Sequence, residues 1–235
     1  MNRFPFLRLL TLVLTLTTLA SAAMAQETRS FSVRNFDKLS IGSAFTINVR
    51  QGGDYSLKAT GRAEDIDKLE ADVSGGTLKV KFKEDSWLRS NNHKKVTLDI
   101  TMPGLKGIDF SGASSSTISG FRNQGDVRME ISGASTCTAD LDARQVQVDF
   151  SGASSVRLSG RAERMAGDVS GATSLRAFDL SLKSADIDVS GASSAQVSAS
   201  EKLSVEASGA SSVRYRGAAS VQSSTSGASS VRKEG

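Results

Sequence analysis

The sequence predicts an all-β fold, a right-handed parallel β-helix (β-solenoid) with coils of about 18–21 residues, and three observations lead there. Ser-Gly-Ala-Ser, or its threonine variant, recurs from Ser111, Ser132, Ser151, Ser170, Ser190, Ser208 and Ser226. Apolar residues alternate with polar ones on both sides of each copy, the period-two signature of strands with one buried face. Two prolines and 6% aromatic residues suit many thin layers better than a core built on large rings. A spacing near twenty is too short for a propeller blade or a helical-pair repeat, and the Leu-x-x-Leu-x-Leu frame is absent, so a β-solenoid remains.

Along the chain, residues 1–25 read as a secretory signal peptide. Arg3 and Arg8 give a basic start, Leu9 to Leu19 an apolar run, and Ala23-Met24-Ala25 a small-residue cleavage site. The expected mature chain begins at Gln26. The apolar run is too short to span a bilayer and no later segment approaches the roughly 20 apolar residues that spanning requires, so no transmembrane helix is expected. Cys137 is the only cysteine, which excludes an internal disulfide framework and a lipidated cysteine at the cleavage site. Removing Arg3 and Arg8 brings the 29 Lys+Arg to 27 against 25 Asp+Glu. That balance gives no reason to expect a nucleic-acid partner.

Residues 26–105 lack the motif but keep the alternation, as in Phe45, Ile47 and Val49, or Val96, Leu98 and Ile100. They are expected to form less regular coils at the N-terminal end of one continuous domain, 26–235, whose regular coils occupy 106–235. In the regular part, positions one, three and five before each motif's first serine are mostly apolar, and the pattern returns five and seven after it. Each copy therefore supplies a strand, a corner, a second strand and a variable return that includes a third short strand such as Phe178 to Leu182. Stacking places like residues in ladders about 4.7–4.9 Å apart, one of them Phe110, Ile131, Phe150, Val169, Val189 and Ala207. Cys137 takes the inward place of Val156, Leu175 and Val213 and reads as a small core residue. Ser223, Thr225 and Lys233 make the last coil polar, which blunts stacking; weak self-association through the solenoid ends is the remaining oligomer expectation.

Two outward rows are the candidate sites. Two residues before the motif, Asp109, Glu130, Asp149, Asp168, Asp188 and Glu206 fill six of seven positions. The structural reading is that these carboxylates accept hydrogen bonds from the neighbouring corners. The functional reading is a bound divalent cation, calcium in particular, although the calcium-binding nonapeptide is absent. Six residues after the first serine, Arg157, Arg176, Arg214 and Arg232 form a broken basic stripe, with Thr117, Thr138 and Gln196 at the other copies. It reads as a solvated face that discourages edge pairing, or as a site for acidic glycans or lipid phosphates. A third candidate is Trp87 in the polar stretch Glu84 to Lys95, stacking on a sugar or covering the solenoid seam.

Catalytic signatures are scarce. His93 is the only histidine, Cys137 the only cysteine, and neither Gly-x-Ser-x-Gly nor Gly-x-Gly-x-x-Gly occurs. Carboxylates on neighbouring coils would stand near the separation used by retaining glycosidases, but a repeat gives them like surroundings where catalysis needs unlike ones.

The opening Arg-x-Phe-x-Val, Phe36-Asp37-Lys38-Leu39, Val73-Ser74-Gly75-Gly76-Thr77-Leu78, and Met102-Pro103-Gly104-Leu105 leading into Ile108-Asp109-Phe110-Ser111-Gly112-Ala113 are fairly specific. Together with the serine-glycine-alanine rungs, over roughly Arg29 to Val231, they resemble the putative auto-transporter adhesin, head GIN domain family. The resemblance implies a right-handed single-stranded β-helix exported in a Gram-negative bacterium, with no catalytic residues to carry over. The expected function is a non-enzymatic adhesin or envelope scaffold, periplasmic, outer-membrane-associated or extracellular, that binds a glycan or another envelope component through repetitive surfaces. The alternative is a polysaccharide-active β-helix enzyme.

Overall fold

A computed structural model describes residues 26–83 and 95–234. The proposed signal peptide, His93 and Trp87 lie outside the described residues. The chain is nearly all strand and winds into a β-solenoid of about 7 turns.

The regular part follows from the alternation. Strands β8 (Gly107–Phe110), β9 (Ser115–Ile131), β10 (Thr136–Phe150), β11 (Ser155–Val169), β12 (Ser174–Val189) and β13 (Ser194–Ala207) are joined by Ser-Gly-Ala-Ser corners and pair in parallel with the coils before and after. The solenoid closes its C-terminal end with β14 (Ser212–Arg216), β15 (Ser220–Thr225) and β16 (Ser230–Lys233). Where three short strands per coil are expected, the stretch after each corner is one continuous strand that bends through register shifts, for example between Ala177 and Ser181. Phe178 to Leu182 lies inside β12 rather than forming a strand of its own.

The inward ladder Phe110, Ile131, Phe150, Val169, Val189 and Ala207 is in register and buried throughout. Cys137 stacks between Ser116 and Val156 at 1% exposure. In the last coil Ser223, Thr225 and Lys233 are exposed.

The N-terminal part contains coils but not in chain order. Strands β2 (Lys38–Ile41) and β3 (Phe45–Gln51) form the coil next to β8 and β9. The chain then passes outward through β4 (Ser56–Arg62), the single-turn helix α1 (Ala63–Ile66) and β5 (Leu69–Ser74), and returns as β6 (Thr77–Phe82) and β7 (Val96–Met102). β6 pairs with β2, and β7 with β3, so the later segment forms the outer coil. Beyond β7, β4 and β1 (Gln26–Phe31) pair antiparallel, and β5 forms an antiparallel hairpin with β6 across Gly75-Gly76. This antiparallel cap shields the sheet at that end, where a parallel edge would otherwise offer free amides and carbonyls.

What sets the coil-to-coil distance is the glycine of the corner. At Gly171 φ is +78°, and a Cβ there would sit 2.5 Å from the Gly152 carbonyl oxygen of the preceding coil. The same carbonyl accepts a hydrogen bond from the Ala172 amide at 2.8 Å, so the main-chain ladder runs unbroken through the corner. Gly120 separates the two causes, because its φ is +76° but nothing lies within 4 Å of its Cβ position. Gly120→Ala is expected to cost roughly 1–2 kcal/mol of left-handed strain. Gly171→Ala carries that strain plus the displacement of a neighbouring backbone, and at least about twice that cost is expected. Equal urea midpoints for the two variants would remove close coil approach as the constraint.

Candidate functional site

The corner's fourth residue is the first surprise of side-chain placement. Ser114, Ser135, Ser154, Thr173, Ser193 and Ser211 all point inward and are nearly fully buried. Four of them donate to backbone carbonyls: Ser135 Oγ to Ser132 O at 2.9 Å, Ser154 Oγ to Ser151 O at 2.8 Å, Ser193 Oγ to Gly171 O at 3.2 Å and Ser211 Oγ to Val189 O at 3.1 Å. Ser114 Oγ donates to Ser135 Oγ at 3.2 Å, and the buried Thr173 hydroxyl has no partner among the described residues. Ser135, Ser154, Ser193 and Ser211 are therefore committed to the main chain. Among the described residues, Ser40 Oγ, 3.2 Å from Asp109, is the one hydroxyl that donates to the acidic row, and it lies in a strand rather than a corner. The expected capping of Asp149, Asp168, Asp188 and Glu206 by corner hydroxyls and amides is not present.

The acidic row itself is real and in register. Asp109, Glu130, Asp149, Asp168, Asp188 and Glu206 are cross-strand neighbours in sequence, continuing Ser40 of β2. Arg128 pairs with Glu130 at its N-terminal end and its charge also reaches Asp149; Asp149, Asp168, Asp188 and Glu206 have no cation within ion-pair distance among the described residues. Partial desolvation and then the charges of Glu206, Asp168 and Asp186 hold the Asp188 carboxyl above its ordinary value. Among the described residues no group of three or more acidic, histidine or cysteine side chains is placed to hold a metal ion.

On the other side of the corner, Thr138, Arg157, Arg176, Gln196, Arg214 and Arg232 are likewise in register and outward. Arg157 lies 3.4 Å from Asp179 and Arg214 lies 3.8 Å from Glu234. Arg176 and Arg232 have no carboxylate within ion-pair reach among the described residues. A shallow depression of about 250 Å³ opens between Arg176, Gln196 and Arg214.

A row that the sequence reading missed runs beside it. Ser115, Thr136, Ser155, Ser174, Ser194, Ser212 and Ser230, four residues after each motif start, stand on neighbouring strands. The register extends the row through Thr46, Thr97, Thr60 and Thr28, across the N-terminal coils and into the antiparallel cap. These residues are exposed or half-exposed, although the Thr46 hydroxyl oxygen itself is buried and has no hydrogen-bond partner among the described residues. The seven motif copies carried the signal, since all seven have Ser or Thr at that offset; the four N-terminal members have no motif to align them.

Half a coil from the corner, a groove of about 670 Å³ follows the axis over a floor that includes Ala143, Ala162 and Leu182. Its charges are mutually satisfied, Arg161 with Asp142 at 3.1 Å and Lys183 with Glu163 at 3.0 Å.

The family described as "Putative auto-transporter adhesin, head GIN domain" matches residues 35–219. The chain belongs to it. No curated protein matches the sequence. Among solved structures the head GIN domain chain is similar to a "putative adhesin" from Bacteroides fragilis NCTC 9343, at 22% identity over 89% of this chain and 97% of the other, with a TM-score of 0.82. A "putative adhesin" from Parabacteroides distasonis ATCC 8503 shares 18% identity over 90% and 98% of the two chains, TM-score 0.69. A "putative lipid binding protein" from the same organism shares 18% over 89% and 97%, TM-score 0.63. At these identities the likeness establishes the solenoid.

Two predictions follow from the titrating groups. Charging Asp188 costs the folded state, because its folded pKa is raised; the cost is present above that pKa and absent below the ordinary value of 3.8. Asp188→Asn is therefore expected to raise the melting temperature at pH 7, with a gain that vanishes on acidification through 3.8; unchanged melting at pH 7 would count against a strained row. Burial pushes the Cys137 thiol up to about 11, so the native protein should not react with a thiol reagent at pH 8 while the urea-unfolded chain reacts fully.

Proposed function

We propose that this head GIN domain protein is an exported, non-catalytic binding module of the cell envelope whose hydroxyl and arginine rows engage a repeating anionic glycan. One observation carries the reading: an unbroken hydroxyl row lies beside a row of guanidinium groups, two of which, Arg176 and Arg232, have no internal carboxylate. Guanidinium forks recognise carboxylate, sulfate and phosphate in a bidentate manner, and hydroxyls both donate and accept towards sugar hydroxyls. Strand spacing repeats both about every 4.7–4.9 Å, which suits a ligand that is itself periodic. Export is supported by the N-terminal basic, apolar and small-residue segments and by the adhesin family, and the described residues contain no helix long and apolar enough to cross a membrane.

Binding rather than reaction is supported by the sameness of the rows. A carboxylate pair that works as acid and base needs two unlike environments; the ladder acids recur at the same place of successive coils, on one outward face.

Acidic glycans on an array are expected to retain the purified protein at low ionic strength and to release it as salt rises. Arg176→Ala with Arg214→Ala should weaken that binding at least about tenfold, the loss of one or two charge-assisted hydrogen bonds, with unchanged circular dichroism. Anionic phospholipid vesicles form the comparison arm and separate a glycan ligand from a lipid headgroup. If neither acidic nor neutral glycans bind, the reading fails and a purely structural role stands in its place.

A further inference from the structure

The chain carries a periodic polyanion of its own, and its period is that of the arginine row. Asp149, Asp168, Asp188 and Glu206 project from consecutive coils with no cation within ion-pair distance among the described residues. Arg157, Arg176, Arg214 and Arg232 project from the same region of the solenoid, beyond the corner, on the next face. We propose that the acidic face of one copy docks side by side on the arginine face of a second copy of this chain, the two axes parallel.

Charge complementarity and shared spacing single out this partner. Two copies have the same coil repeat, so opposite charges stay in phase along the whole contact, which a partner of another period could not maintain. Displaced by one coil, Asp149 faces Arg176, Asp168 meets the Gln196 amide and Asp188 faces Arg214, and no like charges oppose each other along the row. The gap in the arginine row at Gln196 then falls where an amide can still donate to a carboxylate. Desolvation first, and then the charges of Glu206, Asp168 and Asp186, hold the Asp188 carboxyl above its ordinary value, and a facing guanidinium offsets the second of these. Exposed ion pairs are individually weak, so the association depends on several acting together and is salt-sensitive. The two faces differ, so the contact is heterologous; each copy keeps one free acidic and one free arginine face, and the assembly grows rather than closing at two.

Sedimentation velocity of the purified protein tests this without any glycan, so its failure is independent of the binding reading above. At about 0.01 M ionic strength, where screening reaches roughly 30 Å, mass is expected to rise with concentration; at about 1 M, where it reaches roughly 3 Å, monomer is expected. Two triple variants decide the faces: Asp149→Asn/Asp168→Asn/Asp188→Asn, and Arg157→Gln/Arg176→Gln/Arg214→Gln. Each alone should stay monomeric at low salt, with circular dichroism unchanged. Mixed in equal amounts they should form 1:1 dimers and nothing larger, because only one intact acidic face and one intact arginine face remain between them. A wild-type protein that stays monomeric at low salt up to several hundred micromolar overturns the proposal, as does a mixture that stays monomeric or variants that assemble like the wild type.

Discussion

Everything on the surface of this solenoid depends on how closely one corner can lie over the next. Across six successive corners, from Gly133 to Gly227, a Cβ on the glycine would come within 2.2–2.7 Å of the preceding glycine's carbonyl oxygen. Those same carbonyls accept the amide of the following alanine at 2.7–2.8 Å. A side chain at this position would push the coils apart and break that bond together. Because the bond is kept, the parallel ladder passes through the turn, and the strands on both flanks inherit one register. The buried Phe110 ladder, the acidic row, the hydroxyl row and the arginine row are four readings of that single register.

The rows differ in what they do for the fold. The inward ladder removes apolar surface from water, and the buried corner serines hold the turns, Ser135 and Ser154 by donating to carbonyls of their own turn and Ser193 and Ser211 to carbonyls of the preceding coil. The acidic row does neither. Two like charges 4 Å apart in water repel by about 1 kcal/mol, less with salt, so an exposed row is tolerable but not stabilising. Asp149, Asp168 and Glu206 hold no turn and accept no structural hydrogen bond among the described residues. The groove on the far side shows that opposite charges can be placed on neighbouring coils, as Lys183 and Glu163 are. The fold therefore permits neutralised rows, and the carboxylates of Asp149, Asp168, Asp188 and Glu206 are left outside them.

Sequence periodicity made the regular coils legible because every relevant contact repeats at the same offset. Parity alone predicted the inward residues at odd offsets, and applied to the fourth motif residue it would have predicted the buried serines too; the expectation that the acidic row accepts hydrogen bonds from the corners did not use it. The hydroxyl row at offset four was equally present in the seven copies. The N-terminal end was not legible in the same way. Nothing in Phe45 to Gln51 or Val96 to Met102 states that the later strand lies outside the earlier one, because that order is fixed by a long-range pairing of β3 with β7 and by the antiparallel cap that β4 and β1 place beyond it. Antiparallel and parallel partners ask the same alternation of a strand, so the pattern cannot tell them apart.

Repetition also decides what kind of chemistry such a surface favours. A reacting pair requires two groups made unlike by their surroundings, and stacked coils make surroundings alike. Binding gains from the same likeness, because each weak contact holds the next at high effective concentration and the affinities compound. The compounding holds only while ligand and protein stay in phase, which restricts partners to extended molecules whose charges recur at nearly the strand spacing. An acidic polysaccharide meets that condition approximately, with flexible linkages taking up the mismatch at an entropic cost. A second copy of the chain meets it with no mismatch, since the hydrogen-bonded ladder that spaces the arginines of one molecule spaces the carboxylates of the other. The two partners need the same arginine face, so occupation by one excludes the other. Were both partners offered, the local concentration of glycan and the ionic strength would decide which of them held it, with no change of shape required of the solenoid.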